Sequence, residues 1–413
     1  MISYNLTYTW AISHYITTWP FHELTAHFLS TTFQITLSLS CIQIVIQNNM
    51  SSFNHQLKPQ NGNDQEDFLF AMELVTGTVL PMTMTAAIEL GLLEIMAKAS
   101  PSHLSSSEIA SHLPSRNQDA PVVVDRILRL LASHSILTCK LVTNKDGQAQ
   151  RLYGLAPVCR YFVQNEDGVS LAPSMLIVQD KASVDCWYHL KDAVLEGSLP
   201  FMKAHNGMQG FEYAAQDTRI NSLFNQSMHN HTALVMKRIL EIYRGFEGLN
   251  ELMDVGGGFG SNLRLIVSKY PQIKGINFDL PYVIKDAISS PGVNHVGGDM
   301  FLEVPKAEYI FMKWILHDWG DDKCLKLLKN CYNALPDSGK VIIVESILPE
   351  FPENDVVTKN VSRLDLCMFN TIPGAKERTK QEFQDLATRA GFAVPDVICR
   401  AYCYWVIELY KRK

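Results

Sequence analysis

Residues 1–49 contain no lysine, no arginine and one acid, Glu23. A secretory signal opens with positive charge and an organelle transit peptide is rich in arginine, so this stretch fits neither. Long apolar runs are also missing: Leu37–Ile46 is broken by Ser38, Ser40 and Gln43 and is too short and polar to span a bilayer. Residues 1–49 therefore read as an atypical extension outside the fold, with translation expected to begin at Met50; an unrecognised targeting segment is the alternative, and N-terminal sequencing of the native protein decides between them. The nine cysteines include no Cys-x-x-Cys pair, the closest spacing being Cys399 to Cys403. That pattern argues against a disulfide frame or a zinc site and fits reduced thiols in a cytoplasmic protein. There is no basic excess either, since the net charge is −6. Nucleic acid and anionic membrane are thus not expected as partners.

At 413 residues the chain is long enough for two domains. Between Asp67 and Glu94 apolar residues recur every three to four positions, predicting helices interrupted at Pro81. Ser105 to Ala110 reads as a helix start, and Pro121 to Leu131 as a second helix with proline in its first turn. Ile136–Val142, the turn Asn144 to Gly147, and Arg151–Leu155 suggest a hairpin. Helix, helix, hairpin is the layout of a winged helix, so a DNA-binding regulator has to be weighed. The second helix offers only Arg126 and Arg129, with Asp125 beside them, too little charge to neutralise phosphates. A scaffold or dimer contact is the better reading, and residues 50–165 are taken as this N-terminal domain.

From about residue 166, and most clearly past Glu247, strand and helix alternate. Leu252–Val255, Gly275–Asp279, Val293–Val296, Tyr309–Ile315 and Lys340–Ile347 are short apolar runs, with helical stretches at Ser261–Tyr270, Tyr282–Ser289, Asp321–Leu335 and Thr379–Gly391. The expected fold class is α/β: a Rossmann-like, mainly parallel sheet with helices on both faces, closed by an antiparallel hairpin over Asp396–Tyr410. The first strand runs into Gly256-Gly257-Gly258, where main chain can press against a ligand, and Asp279 ends the next strand, where a carboxylate takes both hydroxyls of a ribose. That is a nucleoside site. A nicotinamide dinucleotide wants Gly-x-Gly-x-x-Gly, but Ser261 occupies the third glycine's place, which favours S-adenosylmethionine and leaves an NAD-dependent oxidoreductase as the alternative.

Ligands in such sheets sit at the carboxyl ends of the strands. Asp279, Asp299, Lys313, His317 and Glu345 all end or follow strands, so five polar residues converge on one rim. Asp299 suits an acceptor for the adenine amino group, with Met300 on the ring face; an Asx turn is its bland alternative. His317 is the candidate base. Glu345 is expected to hold the second ring nitrogen of His317, and Glu377, on a turn before a helix, either flanks the same base or is a solvated helix-start charge. No carboxylate, His or Cys cluster has metal-coordination spacing, so no metal is expected.

Taken together, from about Asp67 to the C-terminus the chain resembles plant S-adenosylmethionine-dependent O-methyltransferases of the caffeic acid type. The motifs that carry the resemblance are Asp254 to Gly258, Asn277 to Pro281, Gly297 to Phe301, Met312 to Trp314, His317 to Trp319 and Gly374 to Thr379. The resemblance implies His317 as base flanked by Glu345 and Glu377, with Gly256, Asp279, Asp299, Met300 and Lys313 binding the methyl donor. It also implies a homodimer through the N-terminal domain and a phenolic substrate, with arylamine N-methylation a minor alternative. Phe224, Met228, His231 and Met368 keep the family's character, and Ile177 stands in the same pocket. Val178 and Ile372 stand where caffeate-methylating members carry asparagines, and Ala214 and Ile220 where they carry His and Phe, so a different or less polar phenol is expected.

Overall fold

The computed structural model describes residues 64–143 and 147–412. The atypical extension, Met50 and the turn residues 144–146 lie outside the described residues. The chain divides after Gly77. Of the first unit, helix Asp64–Val75 is described; it buries no residue, and Phe68, Leu69, Phe70 and Leu74 are all exposed.

The second unit opens with helices Val79–Glu89, Leu92–Ala99, Ser106–Ser111 and Ala120–Ser133 and the antiparallel hairpin β1 (Leu137–Thr143) and β2 (Ala149–Leu155). The break expected at Pro81 is not there. Residues 76–78 lie outside any helix, and Pro81 sits in the first turn of Val79–Glu89, where a missing N–H costs nothing. Ser105 caps its helix with a capping box: its Oγ accepts from the Glu108 N–H (3.2 Å) while its own N–H donates to Glu108 Oε2 (2.7 Å). Leu92, Leu93, Ile109, Leu128, Leu131 and Tyr153 make the core of this part. Arg129 and Arg151 are both spent on Asp125, at 3.2 Å each.

Beyond it a seven-stranded sheet forms from β3 (Glu251–Val255), β4 (Lys274–Asp279), β5 (Val293–Gly297), β6 (Tyr309–Lys313) and β7 (Lys340–Glu345), while β8 (Ile347–Leu348) and β9 (Arg378–Thr379) pair separately, and β10 (Asp396–Ala401) and β11 (Tyr404–Tyr410) complete the large sheet. Its order is β10-β11-β7-β6-β3-β4-β5, with β3 to β7 parallel and β11 antiparallel to both β7 and β10. Alternate residues of the buried strands face opposite ways. Ile310, Met312, Val341 and Ile343 pack under helices Asp321–Ala334 and Lys380–Ala390, and Phe311, Ile342 and Val344 under helices Thr218–Ile242 and Ser261–Lys269. Fully burying each such side chain contributes roughly 1.5–3 kcal/mol. The expected α/β sheet with its antiparallel closing hairpin is what the chain forms.

Some expected boundaries move. β6 ends at Lys313 rather than Ile315 because Trp314 turns into the left-handed region at φ +58°. The run to Ile347 splits at Ser346, and the helix expected over Tyr282–Ser289 contracts to Pro281–Ile284. Helices Thr218–Ile242 and Val356–Thr371 were not anticipated; the first buries Ser227 and Asn230 on its apolar face, which blurs the period. Among the described residues no single helix is long and apolar enough to cross a membrane.

Candidate active site

Parallel pairing brings the carboxyl ends of β3 to β7 to one rim. Gly256 donates to the Phe278 carbonyl (2.8 Å) at φ +74°, and a Cβ there would meet Ile315 Cδ1 at 2.5 Å. At Gly257 a Cβ would lie 2.1 Å from Asn277 Oδ1 and 2.6 Å from Asp254 Oδ2. Two further bonds fasten this loop to β4, and a third ties the helix that follows it to β3. Gly258 N–H donates to Asp279 Oδ2 (2.8 Å), Asn277 Nδ2 donates to the Gly258 carbonyl (2.8 Å), and Asn262 Nδ2 donates to Asp254 Oδ2 (3.1 Å). Asp279 Oδ1 takes the Leu280 N–H (2.7 Å); an ionised carboxylate has lone pairs left after two such bonds. Burial pushes its pKa up while the two amides pull it down.

Asp299 Oδ1 accepts the Phe301 N–H (2.8 Å), so the Asx-turn reading of this residue is present in the fold. The Met300 carbonyl is pinned by Asn330 Nδ2 at 2.9 Å. Lys313 is buried, donates to Thr232 Oγ1 (3.1 Å) and lies 4.0 Å over the Trp314 ring. Burial pushes its pKa down to about 8 against the opposing pull of Glu345 and Asp254. Asp254 is pushed up to about 7 by burial, and its Oδ1 has no hydrogen-bond partner.

The turn Leu316–Asp318 follows the strained Trp314. Glu345 Oε1 accepts the N–H groups of Ile315 (2.9 Å) and Leu316 (2.8 Å), while its Oε2 stays 4.0 Å from His317 Nδ1. The carboxylate bonded to Nδ1 is Glu377, at 2.9 Å. The bond expected of Glu345 is thus made by Glu377, which flanks the base as one of its two expected readings had it. Glu345 builds the turn and Glu377 holds the ring, because the β8–β9 pairing carries residue 377 over the imidazole. Burial, followed by repulsion from Asp365, pushes Glu377 up to about 8, and burial also raises Glu345. Asp318 sits 3.7 Å from His317 Nε2, pushed up to about 6 by burial.

Ligand-type atoms of His317, Glu345 and Glu377 lie within 4.8 Å of one another, a grouping the sequence spacing did not reveal. Nδ1 is engaged by Glu377 and Glu345 Oε1 by two amides, so the hydrogen bond within the trio is the one between His317 and Glu377.

The pocket residues come from three helices. Ile177 and Val178 end helix Ala172–Val178, Phe224, Met228 and His231 follow one another along helix Thr218–Ile242, and Met368 and Ile372 close helix Val356–Thr371. The spacing 224, 228, 231 puts the middle three on one face. His231 reaches the base through a stack: its ring lies 4.2 Å from Trp314, whose ring lies 5.7 Å from His317. His231 Nε2 bonds Tyr404 Oη (3.0 Å), Nδ1 is buried without a partner, and burial holds its pKa well below the usual value. Val178 is 44% exposed, and the other pocket residues are half-buried.

Two family models match the chain: an O-methyltransferase domain over residues 187–393 and an O-methyltransferase dimerisation domain over 72–165. Caffeic acid 3-O-methyltransferase 1 of Populus tremuloides is 58% identical over 86% of this chain and 98% of its own length. The chain belongs to the O-methyltransferase family. The caffeic acid 3-O-methyltransferases of Prunus dulcis and Medicago sativa are 58% and 56% identical, each over 86% of the chain and 98% of the relative. Human N-acetylserotonin methyltransferase in complex with S-adenosylmethionine has the same fold at 21% identity, with a TM-score of 0.71 over 86% of this chain and 100% of its own.

Three residues of this O-methyltransferase stand at the site without having been singled out from sequence. Asp254 had a signal, an acid inside the apolar run Leu252 to Val255; Asp318 had only its place beside His317. Thr232 had none, since helix Thr218–Ile242 itself went unrecognised.

Proposed function

We propose that this O-methyltransferase moves a methyl group from S-adenosylmethionine to the hydroxyl of a plant phenol, with His317 as general base and no metal. The observation that carries the base is the 2.9 Å hydrogen bond between His317 Nδ1 and Glu377 Oε1, which leaves the other ring nitrogen for an acceptor's proton. The residues at the rim fit the donor: glycines at which a Cβ would clash, a β4-end carboxylate with spare lone pairs, and the orphaned Asp254 Oδ1 beside a buried lysine. In this reading Gly256, Asp279, Asp299, Met300 and Lys313 hold the donor. When bound, S-adenosylmethionine supplies an electrophilic methyl carbon and a neutral thioether leaving group, which leaves no step that calls for a Lewis acid.

What the chain must supply is a deprotonated oxygen. A phenol of pKa near 10 is only about 0.1% ionised at pH 7. His317 Nε2 takes that proton as the oxygen attacks, a contribution of roughly 10²–10⁴ in rate. In its ionised form Glu377 accepts from Nδ1–H, fixing the tautomer and stabilising the imidazolium that forms. Ile177, Val178, Phe224, Met228, His231, Met368 and Ile372 frame the acceptor, and with Val178 and Ile372 apolar the pocket selects a less polar ring than caffeate. The apolar face of helix Asp64–Val75 and the dimerisation-domain match support a homodimer, with 50–165 as the dimerising and 166–413 as the catalytic part. The eight free cysteines among the described residues suit the cytoplasm. Incubation with methyl-labelled donor and a panel of plant phenols, read by mass spectrometry, tests the reading; NAD binding with no label transfer to any phenol would reverse it.

A further inference from the structure

Arg378 has one of the largest fully buried side chains in the protein, its side chain 0% exposed. Every nitrogen of its fork is engaged: Nη1 donates to the Leu316 carbonyl (2.6 Å), Nη2 to the Trp319 carbonyl (2.7 Å), and Nε and Nη2 to Asp321 Oδ1 (3.1 and 2.8 Å). The two residues before it grip the same turn, since Lys376 N–H donates to the His317 carbonyl (3.0 Å) and Glu377 holds the ring. Three consecutive residues therefore bind the turn at both ends and in the middle. Arg378 is anchored in its turn by β9, which pairs with β8 two residues past Glu345.

A buried guanidinium costs several kcal/mol of desolvation, and a well-packed apolar side chain of similar volume often stabilises a fold as well or better. Among the described residues the one carboxylate ion-paired with it, Asp321, is 44% exposed. Stability by itself gives little reason for the charge, whereas geometry does: a planar fork fixes two carbonyls at once. The far carbonyl belongs to Trp319, whose ring packs edge-on against Phe301 at 4.9 Å, next to Asp299 and Met300. Holding Leu316 and Trp319 together thus sets His317 against the donor side of the site.

Resting on the methyltransferase reading above, we propose that Arg378 is a positioning residue of the reaction, fixing the distance between the imidazole base and the donor rim without touching either reactant. A misplacement of about 1 Å costs on the order of a hundredfold in turnover.

The test is Arg378→Met, Arg378→Lys and Asp321→Asn in the full chain, with kcat, KM for donor and acceptor, and calorimetric titration of S-adenosylmethionine on each. Turnover is normalised to the donor-binding stoichiometry, so a variant that merely folds less well shows unchanged kcat per binding site. Arg378→Met is expected to lose about a hundredfold in kcat per site with both KM values within about threefold; Arg378→Lys recovers part of that, and Asp321→Asn loses several-fold. Arg378→Met within threefold of wild type overturns the proposal. Should Arg378→Met not fold, full turnover in Asp321→Asn overturns it. His317→Gln run alongside separates the two levels: if that variant keeps its turnover the base assignment fails, and if it alone is inactive only the positioning role fails.

Discussion

Glu377→Gln separates what the carboxylate does for the reaction from what it does to the fold. Glutamine keeps the shape and a carbonyl oxygen at the 2.9 Å position next to Nδ1, and removes the charge. A hydrogen bond to an ionised group contributes about 1.5–3 kcal/mol against about 0.5–1.5 for a neutral one, and the difference of about 1–2 kcal/mol is roughly 5–30-fold in rate. Stability moves the other way. The carboxyl is raised from 4.5 to about 8 in the fold, so its contribution is fully present below pH 4.5 and is lost as pH rises through about 8. The glutamine variant has no such loss, so its melting temperature should gain on the wild type between pH 5 and pH 8.5. Turnover carries the same signature. With the carboxyl protonated, the hydrogen bond runs from Oε1–H to Nδ1 and hydrogen occupies Nε2, so wild-type kcat should climb through about pH 8 and that limb should vanish in the variant. Differential scanning fluorimetry and single-turnover transfer across pH 5 to 9 are the assays. A variant that is both slower and less stable at pH 8.5, with the limb intact, would show that Glu377 packs the site and does not tune its base.

His317→Gln should leave donor affinity nearly unchanged by calorimetry and cut turnover at least about a hundredfold; near-normal turnover reassigns the base. Asp279→Asn keeps an acceptor for one of the two amides it now holds but loses the charge, and donor binding should weaken at least about tenfold with kcat at saturation little changed; an unaltered dissociation constant removes Asp279 from the donor site. Val178→Asn with Ile372→Asn should shift the kcat/KM ratio toward the more hydroxylated of two otherwise matched phenols, by tenfold or more where a buried amide meets the added hydroxyl; an unchanged ratio means these positions do not face the acceptor.

Most of the sheet and its rim could be read from the sequence because both rest on local signals. Apolar runs of strand length, glycines at the end of one and acids at the ends of others each announce themselves within a few residues, and β3 to β7 formed where those runs lie. Helix Thr218–Ile242 went unread because its buried face includes Ser227 and Asn230, whose bonds to Ser174 and the Ser170 carbonyl come from over fifty residues away. Thr232 went with it. The strand expected to run to Ile315 ends at Lys313 because Trp314 turns left-handed, a conformation that nothing local favours and that is held by a bond to the Val344 carbonyl and by the Lys313 and His231 contacts on its ring.

The division of work between Glu345 and Glu377 shows where such reading stops. Position along the chain put both acids near His317, and both are there. Which of them bonds the ring depends on where their oxygens are already committed. Glu345 leaves the end of β7 directly beneath the turn, so the free amides of Ile315 and Leu316 claim one oxygen and hold the other 4.0 Å from the imidazole. Glu377 arrives sixty residues after His317, immediately before the two-residue strand β9, whose Arg378 is locked to the turn's carbonyls, so its oxygen is delivered to Nδ1 with no competing amide. An unmet amide beside a buried carboxylate costs about 1–3 kcal/mol, more than a neutral imidazole bond contributes, and this inequality assigns the amides to the nearer acid and the ring to the farther one.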